Sequence, residues 1–282
     1  IAVIPSLAIH LDRDANNNRK VNPETDMIPL LLQPKDEYTF QNLIGPEVNG
    51  EEVLAADLSF YDTNPAALIG ERREFLASAR LDNLLSCFTG MTSLMSADET
   101  FTSLLVCNDH EEVGSASASG AEGTFLKDVL KRITQPGEDR LRSFSRSLLV
   151  STDNAHGVHP NFSDKHESNH GPILNQGPTI KFNANQRYAT NSETAGYFKA
   201  LCQKVNVPIQ EFVNRADMAC GSTIGPITAK EIGVNTLDIG VPTFAMHSIR
   251  ELGGADDAFN LMRALRAFYQ DKGPLGALSN PT

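Results

Sequence analysis

Two adjacent carboxylates, Glu111 and Glu112, stand in the stretch CNDHEEVGS (residues 107–115), directly after the apolar run Leu104–Val106. Side by side at the end of an extended segment they point in different directions, so one can hold a cation while the other faces a water. Three further candidates share that chemistry: Asp153 in STDNAHGVHP, His247 in PTFAMHSIRE and Asp82 in RLDNLLSC. Taken singly, each has an ordinary explanation. Paired glutamates are usually solvated, an Asp near a helix start is a cap or dipole partner, and Asp153 fits an Asx turn. Together they gather carboxylates beside an imidazole, and carboxylates so placed repel one another unless a cation neutralises them. Oxygen and imidazole donors without thiolate suit catalytic zinc, manganese or cobalt better than a structural cysteine site. Spacing alone leaves open which glutamate binds metal and which takes a proton.

The elements that must bring these residues together are short strands and amphipathic helices. Leu81, Leu84, Leu85, Phe88, Met91, Leu94 and Met95 recur at helical spacing and predict a helix with one buried face. Strands are expected at Leu104 to Cys107, Leu148 to Ser151, Ile209 to Arg215 and Thr236 to Ile239. Helices are expected around Leu126–Ile133, after Asn191, from the turn CGSTIGP to Gly233, and from Asp257 to Tyr269. This alternation predicts an α/β fold with a mostly parallel central sheet flanked by helices. Ligands in such folds bind beyond the carboxyl ends of the strands, where Glu111, Glu112, Asp153 and His247 fall. The turn Gly221-Ser222-Thr223 at a helix start can offer backbone N–H groups to a carboxylate or an oxyanion.

Composition narrows the partners. A net charge of −11 leaves no basic stripe for phosphates, so no nucleic-acid partner is expected. No apolar run is long enough to span a membrane. The four cysteines form no C-x-x-C pair and fit reduced thiols in a cytoplasmic protein. Residues 1–74 are polar, loop-rich and aperiodic up to about Gly50, which reads as a smaller unit ahead of a domain at 75–282. The chain opens on Ile1, as a chain entered partway would.

The motifs RLDNLLSC, DHEEVGS, STDNAHGVHPNF, GPTIKFNANQRYAT, CGSTIGPI and LDIGVPTFAMHSIRE, in that order, resemble the M18 metallopeptidases, the aspartyl aminopeptidase family. The likeness runs from about Phe75 to Tyr269, and IPSLAIHLDR near the start also matches. The resemblance implies a zinc-peptidase fold with a smaller dimerisation domain, residues 1–74 being part of that domain plus linker and 75–282 the major part of the catalytic domain. It implies two divalent ions per subunit, most naturally zinc, with Asp82 bridging them, Glu112 and His247 on one, Asp153 on the other, and Glu111 as general base. It further implies peptide substrates with an N-terminal Asp or Glu, with Lys181 recognising the acid, His156 near the substrate and His10 contributed from a neighbouring subunit. Dimers assembling into a dodecamer complete the picture.

The family's early HTDSP motif, which supplies another histidine ligand, is absent from this sequence. The 282 residues by themselves are therefore expected to be inactive, with one ligand short. Two other functions compete: a non-catalytic scaffold with a peptidase fold, separable by metal content, and an aminopeptidase for neutral N-terminal residues, separable through Lys181.

Overall fold

Polar, aperiodic sequence at the start of the chain yields little regular structure. Helix α1 (Pro23–Asp26) begins with Pro at its first turn and is capped by the Asn22 side chain, which accepts from Glu24 N–H. Helix α2 (Phe40–Ile44) opens with a reciprocal capping box between Thr39 and Asn42. An isolated antiparallel bridge joins Val3 and Leu30. The computed structural model of the chain describes residues 1–33, 37–97 and 101–271. Two units emerge, Ile1–Tyr61 and Asp62–Thr282. The division falls earlier than the boundary at 74 expected from sequence, because residues just after Tyr61 pair within the second unit; the tail 272–282 of the expected domain lies outside the described residues.

The second unit alternates strands and helices: β1 (Ala67–Ile69), β2 (Phe75–Ser78), α3 (Leu81–Leu94), α4 (Phe125–Ile133), α5 (Glu138–Ser145), β3 (Leu148–Thr152), β4 (Ala155–His156), β5 (Thr179–Phe182), α6 (Ser192–Lys204), β6 (Gln210–Val213), α7 (Ile224–Ile232), β7 (Asn235–Gly240), β8 (Pro242–Phe244), β9 (Glu251–Gly254) and α8 (Ala255–Gln270). One sheet has the order β3-β7-β5-β6, with β3/β7 and β5/β6 parallel and β5/β7 antiparallel. A second, β1-β2-β9-β8-β4, is antiparallel except at β4/β8. The α/β class expected from sequence is therefore the observed one. Asn191 caps α6 through Thr194 N–H, and Gly233 ends α7 at φ 68°, a left-handed position that glycine adopts freely.

The core joins β5, β7, α3, α6 and α8 through Ile180, Leu237, Ile239, Leu81, Leu85, Phe198, Leu261 and Leu265. Phe198 is wholly buried, so Phe198→Ala is expected to cost about 3–5 kcal/mol, read from urea unfolding of the second unit.

Two expectations need correction. Helix α3 does not bury all the bulky residues at its helical spacing: Leu81 and Leu85 are buried, but Leu84, Phe88, Met91 and Met95 are exposed. The inward face instead carries Ser86, Thr89, Gly90 and Ser93. Small residues let α3 approach α8 closely; Thr89 donates to Leu85 O (2.9 Å), and Ser93 to Thr89 O (2.7 Å) and, on α8, to Met262 O (3.0 Å), while the Ser86 hydroxyl is buried with no hydrogen-bond partner. Nor is Leu104 to Cys107 a buried strand. It pairs with no strand among the described residues, and Leu104 and Cys107 are exposed. An apolar run becomes a strand only where a neighbour takes up its backbone groups.

Candidate metal centre

Three separate parts of the fold deliver the cluster. Asp82 sits where α3 is interrupted: Asp82 and Asn83 leave the helical region, with a cis peptide between them. Glu111 and Glu112 lie on a single short turn following His110, whose φ is 57°. His247 follows β8, also at a positive φ of 66°. Left-handed backbone at a non-glycine residue is uncommon, and it collects where a side chain must be held in one direction.

His247 Nε2 lies 3.1 Å from Asp82 Oδ2 and 3.0 Å from Glu112 Oε2. One ligand atom from each of these three residues falls within 4.8 Å of the others. The Asp82 side chain is 3% exposed, and its Oδ1 is buried with no hydrogen-bond partner. An orphaned carboxylate oxygen is costly to bury. Burial, then the charges of Asp153, Glu112 and Glu251, push the Asp82 pKa up to about 9. Protein donors do not relieve that crowding, whereas a divalent cation would, so the residues fit a metal. Zinc suits two carboxylates and an imidazole, with room left in its shell for water or substrate.

Glu111 lies beside this cluster without joining it. Burial, and next the carboxylates of Asp153 and Glu112, raise its pKa to about 7, with Lys181 and His247 working in the opposite direction. Such a group takes and returns protons near neutrality.

Asp82, Glu111, Glu112, Asp153, His156, Lys181, Gly221, Ser222, Thr223 and His247 all line one cavity of about 110 Å³, together with Asn154, Tyr188 and Met246. Asp153 follows β3 and is held by its N–H donating to Ile239 O (2.9 Å). His156 keeps an exposed edge, while the protein around the rest of its ring, then Lys181 and His166, lowers its pKa. His10 belongs to the first unit and is exposed there. Of the other histidines, His170 pairs with Glu167 (2.8 Å), and His159 packs against Phe162 and Phe244.

Lys181 is the least expected of the set. It is buried on β5, and its Nζ donates to Asp153 Oδ2 (3.2 Å) and Asn154 O (2.7 Å), 5.4 Å from the Tyr188 ring centroid. Removing one partner of a buried pair strands the other charge. Lys181→Met is therefore expected to lower stability by about 3–5 kcal/mol in metal-free protein. The loss should shrink once zinc offsets Asp153, which chemical denaturation with and without zinc measures.

Glu251 escaped the sequence reading. It is 2% exposed, and its two oxygens accept from Asp82 N–H (2.9 Å) and His247 N–H (2.8 Å), fixing the backbone of two cluster residues at once. The signal was there, a carboxylate four residues after His247, but nothing local shows that it turns inward.

The family model described as aminopeptidase I zinc metalloprotease (M18) matches residues 1–269. A probable M18 family aminopeptidase 2 of Ectopseudomonas mendocina is 57% identical over 277 residues, covering 95% of this chain and 65% of that protein. Its counterpart in Pseudomonas entomophila is 56% identical over 280 residues, covering 96% and 65%. The chain thus spans 65% of the length of these relatives. Among solved structures, a chain of the cryo-EM structure of the Ape4 and Nbr1 complex is 38% identical with a TM-score of 0.86, covering 100% of this chain and 60% of that one. The S. cerevisiae mApe1 dodecamer is 28% identical with a TM-score of 0.66, covering 74% and 49%.

Proposed function

The chain belongs to the M18 family of zinc metallopeptidases, and from that premise we propose that it is the larger part of an aminopeptidase that hydrolyses the first bond of peptides with an N-terminal Asp or Glu. The observation that carries the reading is the convergence of Asp82, Glu112 and His247 beside Glu111 in one cavity. Asp82, Glu112 and His247 would hold one ion, with Asp82 and Asp153 toward a second. The ions, when bound, supply Lewis acidity toward a scissile carbonyl and lower the pKa of water to about 7. Glu111 takes the proton from the attacking water at its carboxylate and returns it to the departing amine. The turn at Gly221–Thr223 offers N–H groups to a substrate oxygen.

Lys181 supports the acidic preference. Its ammonium spends donors on Asp153 and Asn154 O; a cation on Asp153 would free it toward an acidic side chain, with His156 alongside. His10 is assigned to a neighbouring subunit's site. Val3, Leu7, Leu11, Ile28, Leu30 and Leu32 are exposed on the first unit, in keeping with a dimerisation surface and assembly toward a dodecamer. Four free thiols suit the reducing cytoplasm, and among the described residues no helix is long and apolar enough to cross a membrane.

The test uses the full-length gene product, stripped of metal and reloaded with zinc, cobalt or manganese, on Asp- and Leu-anilides. Metal-dependent cleavage favouring Asp is expected, and Lys181→Ala should raise KM for the Asp substrate far more than for Leu. Equal loss on both counts against acidic selectivity. No cleavage with any metal overturns the enzyme reading and favours a scaffold.

A further inference from the structure

Asp238, on β7, is fully buried yet belongs to no part of the reaction described above. Its Oδ1 accepts from Thr223 Oγ1 (2.7 Å) and its Oδ2 from Ala189 N–H (2.6 Å). Its own N–H donates to Thr190 Oγ1 (2.9 Å). One residue therefore grips two segments distant in sequence: Tyr188–Thr190, after β5, and the Gly221–Thr223 turn that starts α7. Both line the metal cavity, through Tyr188 and through the turn itself.

Thr223 occupies the N-cap position of α7 and makes no side-chain cap bond; its hydroxyl donates to Asp238. Gly225 makes room for this arrangement: a Cβ there would lie 2.3 Å from both carboxylate oxygens of Asp238. The first turn of α7 thus sits directly against a carboxylate, the charge that a helix N-terminus favours. Burial itself disfavours that charge, raising the Asp238 pKa, and the Thr223 and Ala189 donors oppose it.

We propose that Asp238 is a positioning residue for substrate: by fastening the Gly221–Thr223 turn to the Tyr188–Thr190 segment, it holds the non-metal wall of the cavity at the distance a bound amino-terminal residue requires. The inference rests on the aminopeptidase reading, since it is that reading which makes the wall a substrate surface. It requires no contact between Asp238 and substrate. An asparagine at 238 keeps the volume and gives its one oxygen to Ala189 N–H, while its NH2 can only donate to Thr223 Oγ1, so the charge-assisted bond to the turn becomes a weaker neutral one.

The test takes the full-length protein, zinc-loaded, as wild type, Asp238→Asn, Thr223→Val and Thr223→Ser. Zinc content, kcat and KM for Asp-anilide are measured alongside calorimetric affinity for L-aspartate, which reads the wall whether or not peptide is cleaved. Asp238→Asn, which removes the charge from the bond to Thr223, and Thr223→Val, which removes the bond, are each expected to raise KM and weaken aspartate binding by about 10-fold, with a much smaller change in kcat and unaltered zinc. Thr223→Ser, which keeps the hydroxyl, should restore both. Unchanged binding in Asp238→Asn, parallel loss of zinc and kcat, or a wild type that does not bind aspartate would overturn the proposal. A wild type that binds aspartate but cleaves nothing tells against the aminopeptidase reading alone.

Discussion

Glu111→Gln is expected to cut turnover by about 10²–10⁴-fold while zinc content and assembly stay at wild-type levels, because the amide keeps the shape of the side chain and loses only its basicity. Glu111 lines the cavity without belonging to the group formed by Asp82, Glu112 and His247, so metal retention distinguishes its role from theirs. Its pKa of about 7 also sets a pH limb. The base works deprotonated, so kcat should fall as pH drops through that pKa, and bound cations, which favour the carboxylate, should move the limb lower. Glu111→Gln should abolish the limb in whatever rate remains. Normal turnover in this variant would remove Glu111 from the mechanism and leave Glu112 as the glutamate to examine.

Asp82→Asn should weaken zinc binding by at least about 100-fold, more than is typical of residues that only support a ligand. The same change is expected to stabilise the metal-free protein at alkaline pH. The sign follows from the raised pKa: between the ordinary value of 3.8 and about 9 the folded protein holds a proton that the unfolded chain has released. Stability from this group is fully present below 3.8 and is lost as pH rises toward 9. The metal-free wild type should therefore lose Tm across that range, and Asp82→Asn should flatten the slope. For a chain of this size each 1 kcal/mol moves Tm by about 2–4 °C, well within calorimetric reach. Zinc should reverse the wild-type loss and leave the variant unmoved. A variant that binds zinc normally, or shows the wild-type slope, would exclude Asp82 from the centre.

Side-chain chemistry and local backbone preference were readable along the chain. Asn191 and Gly233 mark helix ends in the sequence because capping and left-handed backbone involve only neighbouring residues. The acidic residues after Leu148–Ser151 and Leu104–Cys107, and the histidine after Thr236–Ile239, pointed to metal chemistry, since donor type is a property of the residue alone. Convergence was a different matter. His247 meets Asp82 across 165 positions, and that meeting depends on how β8 and the interrupted start of α3 pack beside one another. For the same reason the inward face of α3 was not legible: which side of a helix is buried depends on its neighbour, and here close approach to α8 selects Ser86, Gly90 and Ser93 over Phe88 and Met91. Glu251, Asp238 and the Lys181–Asp153 pair belong with these. A carboxylate or an ammonium reads as solvent-exposed until the fold supplies the donors and charges that make its burial tolerable, and those partners come from distant parts of the chain.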